Sequence, residues 1–318
     1  MYKVLIPQDI MPQGKDFLKE HGYEVIIGSG WDSETIKREV KDCDALLVRT
    51  ALYPADVIAA GKKLKIIARY GVGTDNIDIK AAEKQGVWVT IAKNANVQSV
   101  AEHTIALLLA CSKQLVFCSE QVKAGNWEIR NSKQGIELCG KTLGVVGLGA
   151  IGLSAAKKAY FGLDMNVIGF DAFADESKLP EYIGIMPSAE EVFSKADAVS
   201  LHIPLTKGTK NIVNKELLNK MKPTSFLINC ARGGIVNEED LYQALKNNVI
   251  AGAAMDVFER EPADPKNKLF TLDNFIASPH NAGLTYEASA AMALSAAQAI
   301  HDVLSGRKPK YPVNNPEF

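Results

Sequence analysis

Short β-branched runs alternate with segments of helical period along the opening third of the chain. Val4 to Ile6, Glu24 to Ile27, Ala45 to Val48, Lys65 to Ala68 and Val87 to Ile91 read as strands, with helices between them. These strands show little polar alternation, and amphipathic stretches separate them. That pattern calls for parallel strands joined by crossover helices rather than for hairpins. The opening third therefore reads as one small α/β unit.

An uninterrupted helical pattern follows from about Val97 to Ala124, ending before Gly125, with Ile105, Leu108, Leu109 and Leu115 at helical spacing. It exceeds the usual globular helix length. Such a helix suits a connection between two units and offers a broad apolar face, for which a partner subunit is slightly favoured over burial within the chain. From Thr142 the alternation resumes. Leu143 to Val146, Val167 to Phe170, Ala198 to His202, Ser225 to Asn229, Ala251 to Val257 and Phe275 to Ala277 read as six strands, the number of a doubly wound dinucleotide sheet. Ser188 with Glu191, and Asn237 with Asp240, mark two helix starts among them. A last alanine-rich helix, about Thr285 to Leu304, stops at Gly306. It has no strand of its own to follow and is expected to pack back on the first unit.

Composition narrows the class. At 318 residues and about 150 residues per domain, two domains with a cleft between them are expected. Apolar residues at 47% and charged residues at 23% exclude disordered and low-complexity classes. With 36 Lys plus Arg against 37 Asp plus Glu, no basic excess exists to hold a phosphate backbone, so nucleic acid is not expected as a partner. Five cysteines at irregular spacing point to reduced cytoplasmic thiols rather than disulfides, and no metal site is expected. The start, Met1 to Pro7, reads as carrying no export signal. The most apolar stretch, Ile105 to Cys111, is soon followed by Lys113 and falls far short of the roughly 20 residues that span a bilayer.

Chemistry enters at Gly147-Leu148-Gly149-Ala150-Ile151-Gly152, directly after a strand and opening a helix. In that setting the first glycine makes the tight turn and the second lets backbone approach a pyrophosphate. The third lets helix pack on strand, while the amides of the helix start face the anion. The next strand ends at Asp171, at about the 20-residue spacing where a carboxylate accepts from both adenine-ribose hydroxyls. With Ala172 and Phe173 beside it and no neighbouring cation, a 2′-phosphate would be repelled, so NAD is favoured over NADP.

Ligands of open parallel sheets lie beyond the carboxyl ends of strands. Three residues there suit hydride transfer at a hydroxyl-bearing carbon: Arg232 before Gly233-Gly234, Glu261 before Pro262, and His280 after Ser278-Pro279. A histidine exchanges the hydroxyl proton near neutral pH. A carboxylate partner fixes its tautomer and favours the imidazolium. An arginine fork matches a substrate carboxylate and polarises a keto oxygen.

The stretches Ala68 to Asp78, Ser99-Val100-Ala101-Glu102-His103, Gly147 to Gly152, Asn229-Cys230-Ala231-Arg232-Gly233-Gly234, Asp256-Val257-Phe258 and Ser278-Pro279-His280 resemble, in order, the D-isomer-specific 2-hydroxyacid dehydrogenases, and most closely their phosphoglycerate dehydrogenase branch. The resemblance implies an α/β fold of two doubly wound parallel-sheet domains. A flavodoxin-like substrate domain would take residues 1–98 and 286–318, and a Rossmann NAD-binding domain residues 99–285. It implies Arg232, Glu261 and His280 as the catalytic trio. Ala150 and Ile151 would meet the pyrophosphate, Asp171 the ribose, and Ile203, Pro204 and Thr209 the adenosine side. Cys230, Ala231, Asp256, Ala282 and Gly283 would line the nicotinamide end. Val72 and Gly73 would offer amides to the substrate carboxylate, and Arg49 would contact substrate. A cytoplasmic homodimer formed through the long-helix region and closing its domains over NAD is the implied state.

Two positions depart from the family pattern. Ala150 replaces a common arginine of the glycine loop, and Asn281 stands where Ile or Leu is frequent. The chain also stops soon after the last helix, so feedback through a regulatory extension is not expected. Arg49, Arg69, Arg130 and Lys133 are the cations within reach of a substrate phosphate by neighbourhood alone. Hydroxypyruvate, glyoxylate or another 2-ketoacid would need fewer of them. Formate oxidation is disfavoured because it releases no hydroxyl proton for a histidine–glutamate pair to take. The reading from another class is an NAD-sensing protein similar to the C-terminal binding protein corepressors, which usually carry disordered extensions.

Overall fold

The computed structural model describes residues 1–316. The chain divides into two compact units, one of residues 1–96 and 284–318, the other of residues 97–283.

The first unit runs β1 (Lys3–Ile6), α1 (Pro12–Glu20), β2 (Glu24–Ile27), α2 (Ser33–Glu39), β3 (Ala45–Val48), α3 (Ala55–Ala60), β4 (Ile66–Arg69), α4 (Ile79–Lys84) and β5 (Trp88–Ile91). The sheet order is β2-β1-β3-β4-β5, all parallel, which is a flavodoxin-like order. β3 is buried at every position, so both faces of the sheet need cover. Leu5, Leu46 and Ile67 pack on one side with Ile36 and Val57. On the other side Val4, Leu47 and Ala68 meet the closing helix of the chain, through Met292, Ala293, Ala296 and Ile300. Small alanines let that helix lie close, and Gly14 of α1 sits where a Cβ would fall 2.7 Å from the Ala293 carbonyl oxygen.

The second unit begins with α5 (Val97–Ser112) and α6 (Leu115–Lys123). It continues with β6 (Thr142–Val146), α7 (Ala150–Leu163), β7 (Asn166–Phe170), β8 (Ile183–Ile185), α8 (Ala189–Lys195), β9 (Ala198–Leu201), α9 (Lys215–Leu218), β10 (Phe226–Asn229), α10 (Glu238–Lys246), β11 (Gly252–Met255) and β12 (Phe275–Ala277). The closing helix, α11 (Tyr286–Leu304), belongs to the first unit. The parallel sheet order is β12-β11-β10-β9-β6-β7-β8, so the strand sequence reverses between β6 and β9. Ser188 accepts from the Glu191 amide at 3.2 Å and Asn237 from the Asp240 amide at 2.9 Å, capping α8 and α10.

Two elements differ from the sequence reading. The sheet has a seventh strand, β8, at its edge. Its three residues, with Gly184 in the middle, carry too little apolar pattern to stand out. The long helix is not continuous either: Gln114 adopts a left-handed φ of 51° and the two halves bend by 60°. The Ser112 carbonyl accepts the Ile136 amide at 2.7 Å instead of continuing the helical ladder. Val100, Leu107, Leu108 and Cys111 of α5 are buried within the unit's own core, beside Val145, Ala156 and Ile228. The apolar face of that half is therefore covered by its own unit. α6 has no buried residue and exposes Leu115, Val116 and Val122.

No single helix among the described residues is long and apolar enough to cross a membrane. α5 and α6 pass that test of length and composition only as a bent pair.

Candidate functional site

Six strand ends of the second unit bring the candidate residues together. β6 runs into Gly147, whose φ of 99° turns the chain sharply toward α7. A Cβ on Gly152 would lie 2.0 Å from the Gly147 carbonyl oxygen, so only glycine lets the first turn of α7 close against its own entry loop. Gly149 caps α7 without a side-chain hydrogen bond to the helix start, and Gly149 and Ala150 are exposed. The orphan amides of that turn, with the positive end of the helix dipole, are available to an anion.

Asp171 stands at the end of β7, and its two carboxylate oxygens accept from the amides of Leu148 at 2.8 Å and Phe173 at 2.9 Å. Each oxygen keeps lone pairs for hydroxyl donors. Past β9, Ile203 lies under the glycine loop, its Cγ2 atom 3.0 Å from a Cβ built on Gly147. Thr209 donates to the Pro204 carbonyl at 2.6 Å and holds that loop closed. These residues fit a dinucleotide on three counts: an uncapped helix start, a carboxylate at the second strand end, and the strand reversal beside them.

The candidate reacting groups, Arg232, Glu261 and His280, follow β10, β11 and β12. Asn229, fully buried, accepts from the Ala231 amide and donates to the Arg232 carbonyl, both at 3.0 Å. It folds Cys230-Ala231-Arg232 into a turn, and Arg232 itself donates to the Ala231 carbonyl at 2.7 Å. Glu261 accepts from the Phe258 amide at 3.1 Å through one oxygen and meets His280 Nδ1 at 2.6 Å through the other. Burial works to raise the Glu261 carboxyl, but the hydrogen bond and charge of His280, the Phe258 amide and the Arg232 charge outweigh it. The carboxyl stays below its usual range. With Nδ1–H donated to Glu261, Nε2 of neutral His280 is left as the acceptor.

Asp256 is 1% exposed and takes the amides of Asn281 at 3.0 Å and Ala282 at 2.9 Å and the Ser278 hydroxyl at 2.6 Å. Ser99 donates to the Ala282 carbonyl at 2.6 Å, which secures the Ala282-Gly283 segment. Burial pushes the Cys230 thiol up to about 12, so it is an inert part of the wall. Sequence reasoning assigned no role to Asn229, Ser278, Ser99 or His103, although all four lie in the stretches that carry the family resemblance. A buried asparagine closing a strand was the available signal, since such a group has to be hydrogen-bonded.

Arg49, Val72 and Gly73 lie in the first unit, at the carboxyl ends of β3 and β4. Arg49 donates to the Asp9 carbonyl at 2.9 Å and covers the Tyr70 ring at 5.5 Å. Val72 is exposed. Arg69 turns inward, bonding the carbonyls of Gly73 and Tyr70, so it shapes the loop instead of reaching outward for a phosphate. Lys133 lies over the Phe117 ring at 5.0 Å, and Arg130 is exposed. Among the described residues no group of three or more His, Cys, Asp or Glu side chains is arranged to hold a metal ion, and all five cysteines are free.

Comparison with known proteins agrees with this arrangement. Residues 105–282 match the model of the D-isomer specific 2-hydroxyacid dehydrogenase NAD binding domain. The chain is 40% identical to a D-3-phosphoglycerate dehydrogenase of Archaeoglobus fulgidus over 99% of its own length, yet it spans only 60% of that protein. It is 38% identical to a glyoxylate reductase of Thermofilum pendens, covering 98% of this chain and 94% of that one. A crystal structure of a Thermus thermophilus protein superposes with a TM-score of 0.90 at 33% identity, covering 98% of this chain and 100% of the other. On its glycine loop, its histidine–glutamate pair and these matches, the chain belongs to the D-isomer specific 2-hydroxyacid dehydrogenases.

Proposed function

We propose that the protein is an NAD-dependent D-2-hydroxyacid dehydrogenase, interconverting a 2-hydroxyacid and its 2-ketoacid, with a 3-phosphoglycerate-like acid as the leading substrate. The 2.6 Å contact between His280 Nδ1 and Glu261 Oε2 carries this reading. In reduction, protonated His280 gives its Nε2 proton to the carbonyl oxygen, and in oxidation it takes the hydroxyl proton back. Glu261 holds the ring in the tautomer that leaves Nε2 for substrate and stabilises the imidazolium. Arg232 clamps the carboxylate and polarises the keto oxygen. NAD, when bound, supplies or removes the hydride at C2. Gly147, Gly149, Ala150, Ile151 and Gly152 would hold its pyrophosphate, Asp171 its ribose, and Cys230, Ala231, Asp256, Ala282 and Gly283 its nicotinamide end. The second unit then serves NAD. The first, through Arg49, Val72 and Gly73, serves substrate.

A second reading, reduction of glyoxylate or hydroxypyruvate without a phosphate, is favoured by Arg69, whose guanidinium bonds its own loop. The exposed Leu115, Val116, Val122 and Trp127 support a homodimer formed through α6, and five free thiols support a cytoplasmic setting.

NADH oxidation against 3-phosphohydroxypyruvate, hydroxypyruvate, glyoxylate, pyruvate and 2-ketoisocaproate, repeated with NADPH, tests the proposal. A kcat/KM advantage of about a hundredfold for the phosphorylated acid corresponds to about 2.7 kcal/mol of phosphate-specific binding in the transition state. Comparable rates on the other acids select the second reading. Absence of turnover with NADH binding intact overturns both in favour of a cofactor sensor.

A further inference from the structure

His280 has a left-handed φ of 50°, a conformation that is strained for a non-glycine residue and lasts only where the surroundings enforce it. Asp256 enforces it. Its carbonyl takes the His280 amide at 2.7 Å, and its carboxylate takes Ser278 Oγ, the Asn281 amide and the Ala282 amide. The single Ser278 hydroxyl proton goes to Asp256 Oδ1 at 2.6 Å, which leaves the Ser278 oxygen as an acceptor. His103 Nε2 stands 3.0 Å from that oxygen and 3.7 Å from Asp256 Oδ1. The ring must therefore donate through Nε2–H. Ser99, one helical turn before His103 on the same face of α5, grips the Ala282 carbonyl at 2.6 Å. α5 thus holds both flanks of the segment that bears His280.

We propose that His103 is a positioning residue: donating to Ser278, it directs the serine hydroxyl onto Asp256 and so keeps His280 aimed for proton transfer. The inference rests on the proposed function only for the step that His280 performs. A chain of donors ending on a buried carboxylate polarises along its length, so removing the first donor loosens the last bond.

The test uses His103→Leu, His103→Gln and Ser278→Ala in the full chain without cofactor. The readout is the ring Cε1–H resonance of His280, assigned by its loss in His280→Gln. The resonance is expected to shift in His103→Leu and Ser278→Ala and to return in His103→Gln, whose amide still donates. In ketoacid reduction, kcat is expected to fall about tenfold in the Leu variant, with KM for the ketoacid changed less than about twofold. A His280 resonance unmoved in folded His103→Leu overturns the proposal. Equal losses in the Leu and Gln variants do the same, leaving His103 a packing role. Should His103→Leu fail to fold, His103→Phe, which keeps a ring but has no donor, carries the same decision. If the resonance responds as described in a protein that reduces no ketoacid, the positioning stands and the proposed function falls.

Discussion

Gly233 and Phe258 lie so close that a Cβ on Gly233 would fall 1.7 Å from the Phe258 carbonyl oxygen. That contact presses the loop of Arg232 onto the loop of Glu261, whose carboxylate accepts the Phe258 amide. Backbone blocks the added atom, so neither loop has a flexible side chain to yield. Gly233→Ala is expected to push the two loops apart and to destabilise the unit by about 1–3 kcal/mol. Activity should fall by at least about a hundredfold, the scale of a misplaced reacting group. NADH affinity should fall far less than activity, because the glycine loop and Asp171 lie on other strands. Steady-state kinetics with a thermal melt and an NADH titration check all three.

Removing the proposed acid–base group isolates its contribution. His280→Ala is expected to keep NADH binding and lose about 10²–10⁴ in turnover; near-full activity would remove His280 from the proton path. In Glu261→Gln the negative charge that stabilises the imidazolium is gone, so the alkaline limb of ketoacid reduction should move to lower pH. An unshifted limb would show that Glu261 acts by shape alone. Glu261 is held below its ordinary range. Its stabilising contribution is therefore full above the usual carboxylate pKa and lost as pH falls through the lower folded value.

Asp171 would join two tasks, since the carboxylate proposed for the ribose hydroxyls also takes the Leu148 amide inside the glycine loop. Asp171→Ala should narrow the preference for NADH over NADPH and also weaken NADH itself, because the loop loses an anchor. Fluorescence titrations with both cofactors decide this; an unchanged ratio would dismiss the ribose assignment.

The ring of His202, hydrogen-bonded to Ser200 at 2.7 Å, is pushed down to about 4 by burial. In the unfolded chain it protonates near its ordinary value of 6.5, so unfolding takes up a proton between those limits. Stability should then fall as pH drops from about 6.5 toward 4, by about 3 kcal/mol if the whole shift is realised. A His202→Gln variant should show a flatter Tm profile over that window, and an identical slope would remove this residue as the cause.

Much of this was legible in sequence because it is local. Buried strands such as Ala45 to Val48 carry their apolar run in consecutive residues, and the caps at Ser188 and Asn237 need only the residues three positions on. Arg232, Glu261 and His280 stand at strand ends, where an open sheet exposes polar groups. The break at Gln114 was illegible: Ser112-Lys113-Gln114 holds no glycine or proline, and what ends the helix is the amide of Ile136, remote in sequence. β8 was missed because its edge position asks little of its side chains. His103 and Ser278 meet only once the sheet is folded.

The turn bearing Arg232 is shaped by Asn229, a neutral amide, whereas the ring of His280 is seated on a group that titrates. On the proposed function, acidity would then act on the proton step through Glu261 and His280, while the arginine's hold on a carboxylate would not depend on it.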